Sequence, residues 1–127
     1  MPAIDFRTIR SHRGSQHSAF EELVSQLAAL ETPAGTPFHR KGIGADAGVE
    51  CYRVEADGSE TAWQAKYFFD FGNSQAQQLT ESFDQAIANH PRLTRYIVSV
   101  PFDFSDGRVG NQKSQKGRWD DWVVDLH

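Results

Sequence analysis

The stretch that decides the fold spans residues 49–69 and reads VECYRVEADGSETAWQAKYFF. Two runs rich in β-branched and aromatic residues, Val49–Glu55 and Thr61–Phe69, flank Asp57-Gly58. Runs of this composition on either side of an Asp-Gly pair predict two strands joined by a tight turn. The middle of the chain is therefore expected to form a β-hairpin.

The length of the hairpin loop decides whether Glu50 shares a sheet face with Gln64 and Lys66, because side chains alternate along a strand. A two-residue turn would set Glu50 opposite Ala65 and send its carboxylate to the other face. A three-residue loop sets it opposite Gln64. Since such a loop needs a left-handed residue at its last position, where Gly58 stands, the sequence predicts the three-residue loop.

A helix is predicted upstream of the hairpin, over Ser18–Glu31. Its apolar residues recur at the spacing of one buried face, namely Phe20, Leu23, Val24, Leu27 and Leu30. Ser18 and Glu21 fit a capping box, with Ser18 as the N-cap. Between this helix and the hairpin, the segment His39–Gly48 carries three glycines and is expected to be a loop or an irregular edge.

Downstream of the hairpin, a helix is predicted from Ser74 to the residues before Pro91, with Leu79, Phe83 and Ile87 on one face. Arg95–Val100 then reads as a strand, expected to pair parallel to an earlier strand through a crossover. Asp103–Gly117 is predicted to be a loop, and Trp119, Trp122, Val123 and Leu126 indicate a last helix. The order α-β-β-α-β-α predicts an α/β fold with a small mixed β-sheet flanked by helices.

Composition narrows the class of protein. The chain has 127 residues, 39% of them hydrophobic, which suits a single domain with a real core. No apolar run approaches the ~18 residues of a membrane span, no signal peptide is evident, and the single Cys indicates a reducing compartment. A formal net charge of -4 argues against a basic packaging protein, yet it leaves room for an enzyme whose acids bind metal.

The predicted face offers oxygen ligands for a hard cation. Mg²⁺ prefers carboxylate and amide oxygens and keeps several waters. Glu50 supplies a carboxylate and Gln64 an amide oxygen, while Asp46 or Glu21 adds negative charge. Lys66 beside such a metal would orient a water and offset charge on a phosphate. The apolar residues that share this face, Ala62, Phe68, Tyr52 and Val54, suggest the rim of a cleft.

This pattern resembles the PD-(D/E)xK nuclease superfamily in its Mrr-like variant, where a sheet acid is followed by Gln-x-Lys and a preceding helix carries Phe-Glu. The matching residues are Phe20-Glu21, Glu50 and Gln64-Ala65-Lys66. The wider run, from Ser11 to Tyr67, is similar to the N-terminal nuclease effector of bacterial antiviral STAND NTPases. Two positions depart from the commoner superfamily pattern, although neither departure is foreign to the Mrr-like group: Gln64 stands where a second acid is usual, and the sheet acid is Glu rather than Asp.

The resemblance implies a restriction-endonuclease-like core and Mg²⁺-dependent endonucleolytic cleavage of DNA. The expected substrate is double-stranded DNA, cut with weak sequence preference. It implies that Mn²⁺ can substitute, that the catalytic residues are Glu50, Gln64, Lys66 and Glu21, and that the metal ligands are Glu50, Gln64 and Asp46. It also implies an anti-phage protein of the bacterial cytoplasm, away from membranes. This domain would be the N-terminal part of a larger NTPase sensor, active as a homo-oligomer.

Each assignment has a structural alternative. Glu21 could serve only the helix cap, Asp46 could be a turn former, and the Glu50 face could be an exposed strand pairing. Basic residues that could contact DNA, or simply be solvated, are Arg40, Lys41, Lys113 and Lys116. Two other functions stay open, namely a catalytically inactive nucleic-acid-binding module of the same fold and an RNA-cleaving, toxin-like nuclease.

Overall fold

The chain forms a four-stranded sheet with two long helices. The computed structural model describes residues 5–12, 14–41, 48–101, 119, 120 and 123. After a short 3₁₀ turn at Phe6–Thr8, the elements are α1 (Gln16–Glu31), β1 (Phe38–Arg40), β2 (Cys51–Val54), β3 (Glu60–Ala65), α2 (Asn73–Asn89) and β4 (Leu93–Ser99). The expected mixed α/β architecture with a small sheet is therefore observed.

The sheet is mixed, with strand order β1-β2-β3-β4. β1 pairs antiparallel with β2, and β2 pairs antiparallel with β3. β4 pairs parallel with β3 after the chain has passed through α2, with Gln64 opposite Val98. The predicted parallel crossover is confirmed.

The hairpin closes with the predicted three-residue loop. Cys51 lies opposite Trp63 and Val54 opposite Glu60. The Glu55 amide donates to the Ser59 carbonyl at 2.8 Å, which leaves three residues between this closing pair. Gly58, the last of them, has φ +88°, a left-handed conformation that a side chain disfavours. Both strands are shorter than predicted, since β2 begins after Glu50 and β3 ends before Lys66.

The segment expected to be a loop or irregular edge begins as a short edge strand. His39 and Arg40 belong to β1, where Arg40 lies opposite Cys51. The Lys41 amide extends this contact by donating to the Glu50 carbonyl at 2.9 Å. Residues 42–47 lie outside the described part of the chain.

Helix α1 begins two residues before the predicted start, and the predicted capping box is wrong. Ser15, with an extended backbone, is the N-cap, and its hydroxyl oxygen accepts from the Ser18 amide at 3.0 Å. Ser18 is thus the third helical residue, and Glu21 is the sixth. Two serines three residues apart both suit an N-cap, so the sequence alone could not separate them.

The buried faces of both helices differ from the predicted faces. On α1, Leu27 is 51% exposed and Leu30 is 82% exposed, whereas the buried residues are Phe20, Val24, Ser25 and Ala28. On α2, Ile87 is exposed, and the buried residues are Leu79, Ser82 and Ala86. Small side chains let each helix lie close to a narrow sheet. Which helix residues face the sheet therefore depends on side-chain size as well as on hydrophobicity.

Each helix covers one side of the sheet. The α1 side packs Phe20, Val24, Ala28, Cys51, Trp63 and Ala65 together. On the α2 side, Ala62 and Ala86 belong to one cluster with Val49, and Tyr52 packs against it. The apolar residues expected to rim a cleft therefore include two, Ala62 and Tyr52, that pack beneath a helix.

A close backbone approach fixes the segment before β2. Gly48 has φ +83°, and a Cβ atom there would lie 2.0 Å from the Ser82 carbonyl oxygen and 2.7 Å from the Ala86 nitrogen. The Tyr96 hydroxyl donates to the Gly48 carbonyl at 2.7 Å. The chain therefore enters β2, and reaches Glu50, from a point held against α2 and β4.

The predicted last helix is described at three positions. Trp119, Asp120 and Val123 are helical, and the Trp119 ring lies 5.4 Å from the Phe71 ring, edge to face. The loop predicted over residues 103–117 lies outside the described residues. Among the helices that the structure describes, none combines the length and apolar character needed to cross a membrane.

Candidate functional site

Glu50 lies one residue before β2, between two neighbouring segments. Its carbonyl accepts from the Lys41 amide at 2.9 Å, and its own amide donates to the Trp63 carbonyl at 2.7 Å. These bonds attach Glu50 to the end of β1 on one side and to β3 on the other. The backbone at this position is therefore held by the sheet although it lies outside the regular ladder.

The carboxylate of Glu50 is buried and only half satisfied. The residue is 2% exposed, and its Oε2 lies 2.9 Å from the Lys41 ammonium. Its Oε1 has no hydrogen-bond partner among the described residues. Since a buried polar atom without a partner is costly, this oxygen is a candidate ligand atom.

Glu21 joins the same site from α1. Its Oε2 lies 3.2 Å from the Lys41 ammonium, so this one cation bridges the carboxylates of Glu21 and Glu50. His17, one turn earlier on the helix, places its Nδ1 3.8 Å from the Glu21 Oε1. Because Glu21 takes no part in the helix cap, its side chain is available to the site. We call Glu21, Lys41 and Glu50 the bridged cluster.

The bridged cluster shifts the proton affinities of its members. Burial raises the pKa of Glu50 to about 7; Lys41 opposes this shift, and the nearby Glu21 adds to it. Burial alone would lower the pKa of Lys41, but hydrogen bonds and charges from Glu50 and Glu21 raise it above its ordinary value. Lys41 is therefore a firmly charged ammonium, whereas Glu50 exchanges its proton near neutrality.

Gln64 is the second buried group with an unsatisfied oxygen. It is 1% exposed, and its Oε1 has no partner among the described residues. Within the described part of the chain, its amide nitrogen donates one long bond of 3.4 Å, to the Ala65 carbonyl. Gln64 follows Trp63, the residue that pairs with Cys51 and accepts from the Glu50 amide. Trp63 and Ala65 pack with α1, so alternation along β3 directs the Gln64 side chain to the other side of the sheet, whereas Glu50 shares Lys41 with Glu21 of α1. The face that Glu50 was predicted to share with Gln64 is therefore not observed.

Lys66 stands apart from the bridged cluster. It follows the end of β3, is half-buried, and its amide donates to the Ser99 carbonyl at 3.0 Å. Within the described residues, Lys66 forms no ion pair with Glu50 or Glu21, and the cation at Glu50 is Lys41. The structure thus brings Glu21 and Glu50 together but does not join Lys66 to them.

Of the residues expected to contact DNA, the two that are described already contact acids. Arg40 pairs with Glu22 on α1 and lowers the pKa of that carboxyl through its hydrogen bond and charge. Lys41 bridges Glu21 and Glu50. Lys113 and Lys116 lie outside the described residues, as does Asp46.

The role of Lys41 at Glu50 is absent from the sequence prediction. Its signal is topological, because pairing of Arg40 with Cys51 sets Lys41 beside Glu50. That pairing requires β1, a strand of only three residues that runs into a segment predicted to be a loop or an irregular edge. His17 gave a local signal, since it lies four residues before Glu21 on the same helix.

Protein-family models, curated proteins and solved structures give no significant match to this chain. The mixed sheet and the bridged cluster are observed directly. Membership of the nuclease superfamily, and a restriction-endonuclease-like core, therefore stay predictions from the motifs.

The donor set suits a hard divalent cation. Within the described part of the chain, no group of three or more His, Cys, Asp or Glu side chains could hold a metal ion. Mg²⁺ nevertheless needs only one or two carboxylates, completed by waters and substrate oxygens. Glu21 and Glu50 supply two carboxylates, and the Lys41 ammonium between them marks a position that already favours positive charge.

An open cavity of about 490 Å³ lies at the opposite end of the hairpin. Its charged lining is balanced, with Arg53 and Arg95 facing Glu55 and Asp57. Arg53 already donates to Glu55 at 2.5 Å. None of the predicted site residues lines this cavity, so the bridged cluster is the better candidate for chemistry.

Proposed function

We propose that this chain is a metal-dependent endonuclease domain that hydrolyses phosphodiester bonds in DNA, built on a restriction-endonuclease-like core. The observation that carries the proposal is Glu50, a buried carboxylate with one unpartnered oxygen and a cation shared with Glu21. These two residues match the sheet acid and the helix acid of the Mrr-like variant of the PD-(D/E)xK pattern. Their meeting at one end of the sheet supports a nuclease site.

The energetics of Glu50 also support a functional role. Burying a carboxylate is unfavourable, and here burial raises its pKa to about 7. An apolar residue at this position would avoid that cost. Acids whose proton affinity is shifted by burial and by a charged neighbour are concentrated at functional sites.

Glu50 and Glu21 would hold Mg²⁺, or Mn²⁺ in its place; the family resemblance, and not the contacts of this site, adds Gln64 as a neutral oxygen donor and Asp46 as a further acid. A bound cation of this kind supplies Lewis acidity and lowers the pKa of a water. Lys66 at the end of β3 would orient the attacking water and offset charge on the phosphate. A neutral amide in place of a second acid favours weak metal binding.

The substrate proposed is double-stranded DNA, cut with little sequence preference. Phosphate contacts supply most of such affinity, and Lys113 and Lys116 are candidates for them. We further propose that the domain serves a larger NTPase sensor in bacterial antiviral defence, in the cytoplasm, and that homo-oligomerisation activates it.

A cleavage assay tests the proposal. Plasmid, linear DNA and RNA are incubated with the protein in Mg²⁺, Mn²⁺ or EDTA, at high protein concentration to favour assembly. We expect metal-dependent nicking of DNA that falls at least about 100-fold in Glu50→Gln and in Lys66→Ala. Glu81→Gln, which removes an exposed acid on α2, should keep full activity.

The same assay separates the alternatives. Cleavage confined to RNA would replace the proposal with a toxin-like ribonuclease. Binding of DNA without cleavage under any metal, unchanged in Lys66→Ala, would identify an inactive binding module. Cleavage that survives Glu50→Gln would place the chemistry elsewhere in the chain.

A further inference from the structure

We propose that Lys41 is a built-in competitor of the metal ion, whose ammonium occupies the cation position between Glu21 and Glu50 and must leave before a divalent cation binds. The inference rests on the metal-binding part of the proposed function. It adds a residue that governs when the site can be loaded.

The geometry makes the two occupants mutually exclusive. The Lys41 Nζ lies 2.9 Å from the Glu50 Oε2 and 3.2 Å from the Glu21 Oε2. A metal bound by both carboxylates would need oxygen contacts near about 2.1 Å, in the space that this ammonium fills. Two like charges cannot share that space, so one occupant excludes the other.

The charge balance favours exchange. With both acids ionised, one ammonium leaves the bridged cluster with an excess negative charge, whereas a divalent cation would neutralise it. Lysine also satisfies only one oxygen of Glu50, since Oε1 has no partner among the described residues. A permanent structural partner would satisfy both oxygens, as the fork of an arginine can.

Lys41 can leave without disturbing the sheet. Its backbone is fixed, because its amide donates to the Glu50 carbonyl at 2.9 Å. Its side chain is 26% exposed and ends in a compact charge on a flexible four-carbon stem. Rotation of that stem moves the ammonium to solvent while Lys41 and Glu50 stay paired through the backbone.

Metal binding to variants tests the competition without using cleavage. Mn²⁺ affinity is measured by titration calorimetry at pH 8, which keeps the carboxylates ionised. We expect Lys41→Met to bind Mn²⁺ about tenfold or more tightly than wild type. Lys41→Arg, with a bidentate cation, should bind it more weakly. Arg92→Met removes an exposed positive charge near the hairpin turn and should leave the affinity unchanged.

The outcomes separate this inference from the proposed function. Equal or weaker Mn²⁺ binding by Lys41→Met, with a wild type that binds the metal, overturns the competition and leaves the nuclease proposal standing. No Mn²⁺ binding by either protein overturns both. Binding that is seen only in Lys41→Met supports the competition in its strongest form.

A measurement on the unmodified chain guards against a variant that fails to fold. Limited acetylation of lysine amines, read by peptide mass spectrometry, reports how available the Lys41 amine is. We expect its labelling to rise several-fold when Mn²⁺ is added, because the displaced amine enters solvent. Unchanged or reduced labelling at saturating Mn²⁺ would contradict the displacement.

Discussion

Burial disfavours the ionised form of the Glu50 carboxylate, and the stability of the folded chain therefore depends on pH. Its pKa is about 7 in the folded chain against an ordinary 4.5. The folded state therefore holds this proton more tightly, so the contribution of Glu50 to stability falls as pH rises from 4.5 through about 7 and then levels off.

Glu50→Gln should remove this dependence. The difference in free energy of unfolding, variant minus wild type, should therefore be up to roughly 3 kcal/mol more positive at pH 8 than at pH 4. Urea unfolding across this range measures the gap, with Glu81→Gln as the control that stays parallel to wild type. A gap that is constant with pH would show that Glu50 titrates normally.

Gly48 is required for two reasons, because its backbone is left-handed and because there is no room for a side chain beside α2. In Gly48→Ala the new Cβ meets backbone atoms of α2 at 2.0 and 2.7 Å, which cannot rotate away. We expect a loss of about 3 kcal/mol or more in the free energy of unfolding.

Gly35→Ala is the matched control for Gly48→Ala. Gly35 has φ +85°, almost the same conformation, but nothing lies within 4 Å of its Cβ position. We expect this variant to lose only about 1 kcal/mol, the cost of the left-handed backbone. Equal losses in the two variants, by thermal or urea unfolding, would mean that the approach to α2 relaxes.

Among the elements, the start of α1 offers a direct contrast between two serines. The Ser15 hydroxyl oxygen accepts from the Ser18 amide at 3.0 Å and so caps the helix. We expect Ser15→Ala to lower the free energy of unfolding by about 1 kcal/mol. Ser18→Ala should cost less, because Ser18 contributes its backbone amide to this bond. The reverse order would restore the predicted cap at Ser18.

The hairpin was predictable because its information is local. Gly58 requires a left-handed position, and that requirement chooses the loop length and hence the register of β2 against β3. The faces of α1 and α2 were not predictable in this way. Leu27 and Leu30 follow the helical period but are exposed, whereas Ser25 and Ala28 are buried. How closely a helix packs depends on the shape of the sheet surface that it meets, which the helix sequence does not contain.

The candidate site was predictable only where a motif marked it. Glu21 and Glu50 were expected together from the resemblance, and the bridged cluster joins them. Lys41 was not expected there, because its position depends on an edge strand too short to show alternation. The burial of Gln64 depends on tertiary packing, which strand periodicity does not report.

At the scale of the whole molecule, the surface carries large apolar side chains that the core does not use. Val24 is buried against the sheet, whereas Leu30 on the same helix is 82% exposed. We expect Leu30→Gln to change the free energy of unfolding by less than about 0.5 kcal/mol, and Val24→Ala to lower it by about 1 to 3 kcal/mol. Chemical denaturation measures both. A comparable loss in Leu30→Gln would mean that this face is covered in solution.

The single thiol of the chain lies in the middle of the sheet and can serve as a chemical probe of local opening there. Cys51 is fully buried on β2, directly after Glu50, and burial raises its pKa to about 11. A thiol reagent can therefore react with Cys51 only when the strand opens locally, so the labelling rate reports how often the sheet opens at the residue next to the site. A bound cation or DNA duplex that stabilises this end of the sheet would lower the labelling rate of Cys51, and one that destabilises it would raise that rate.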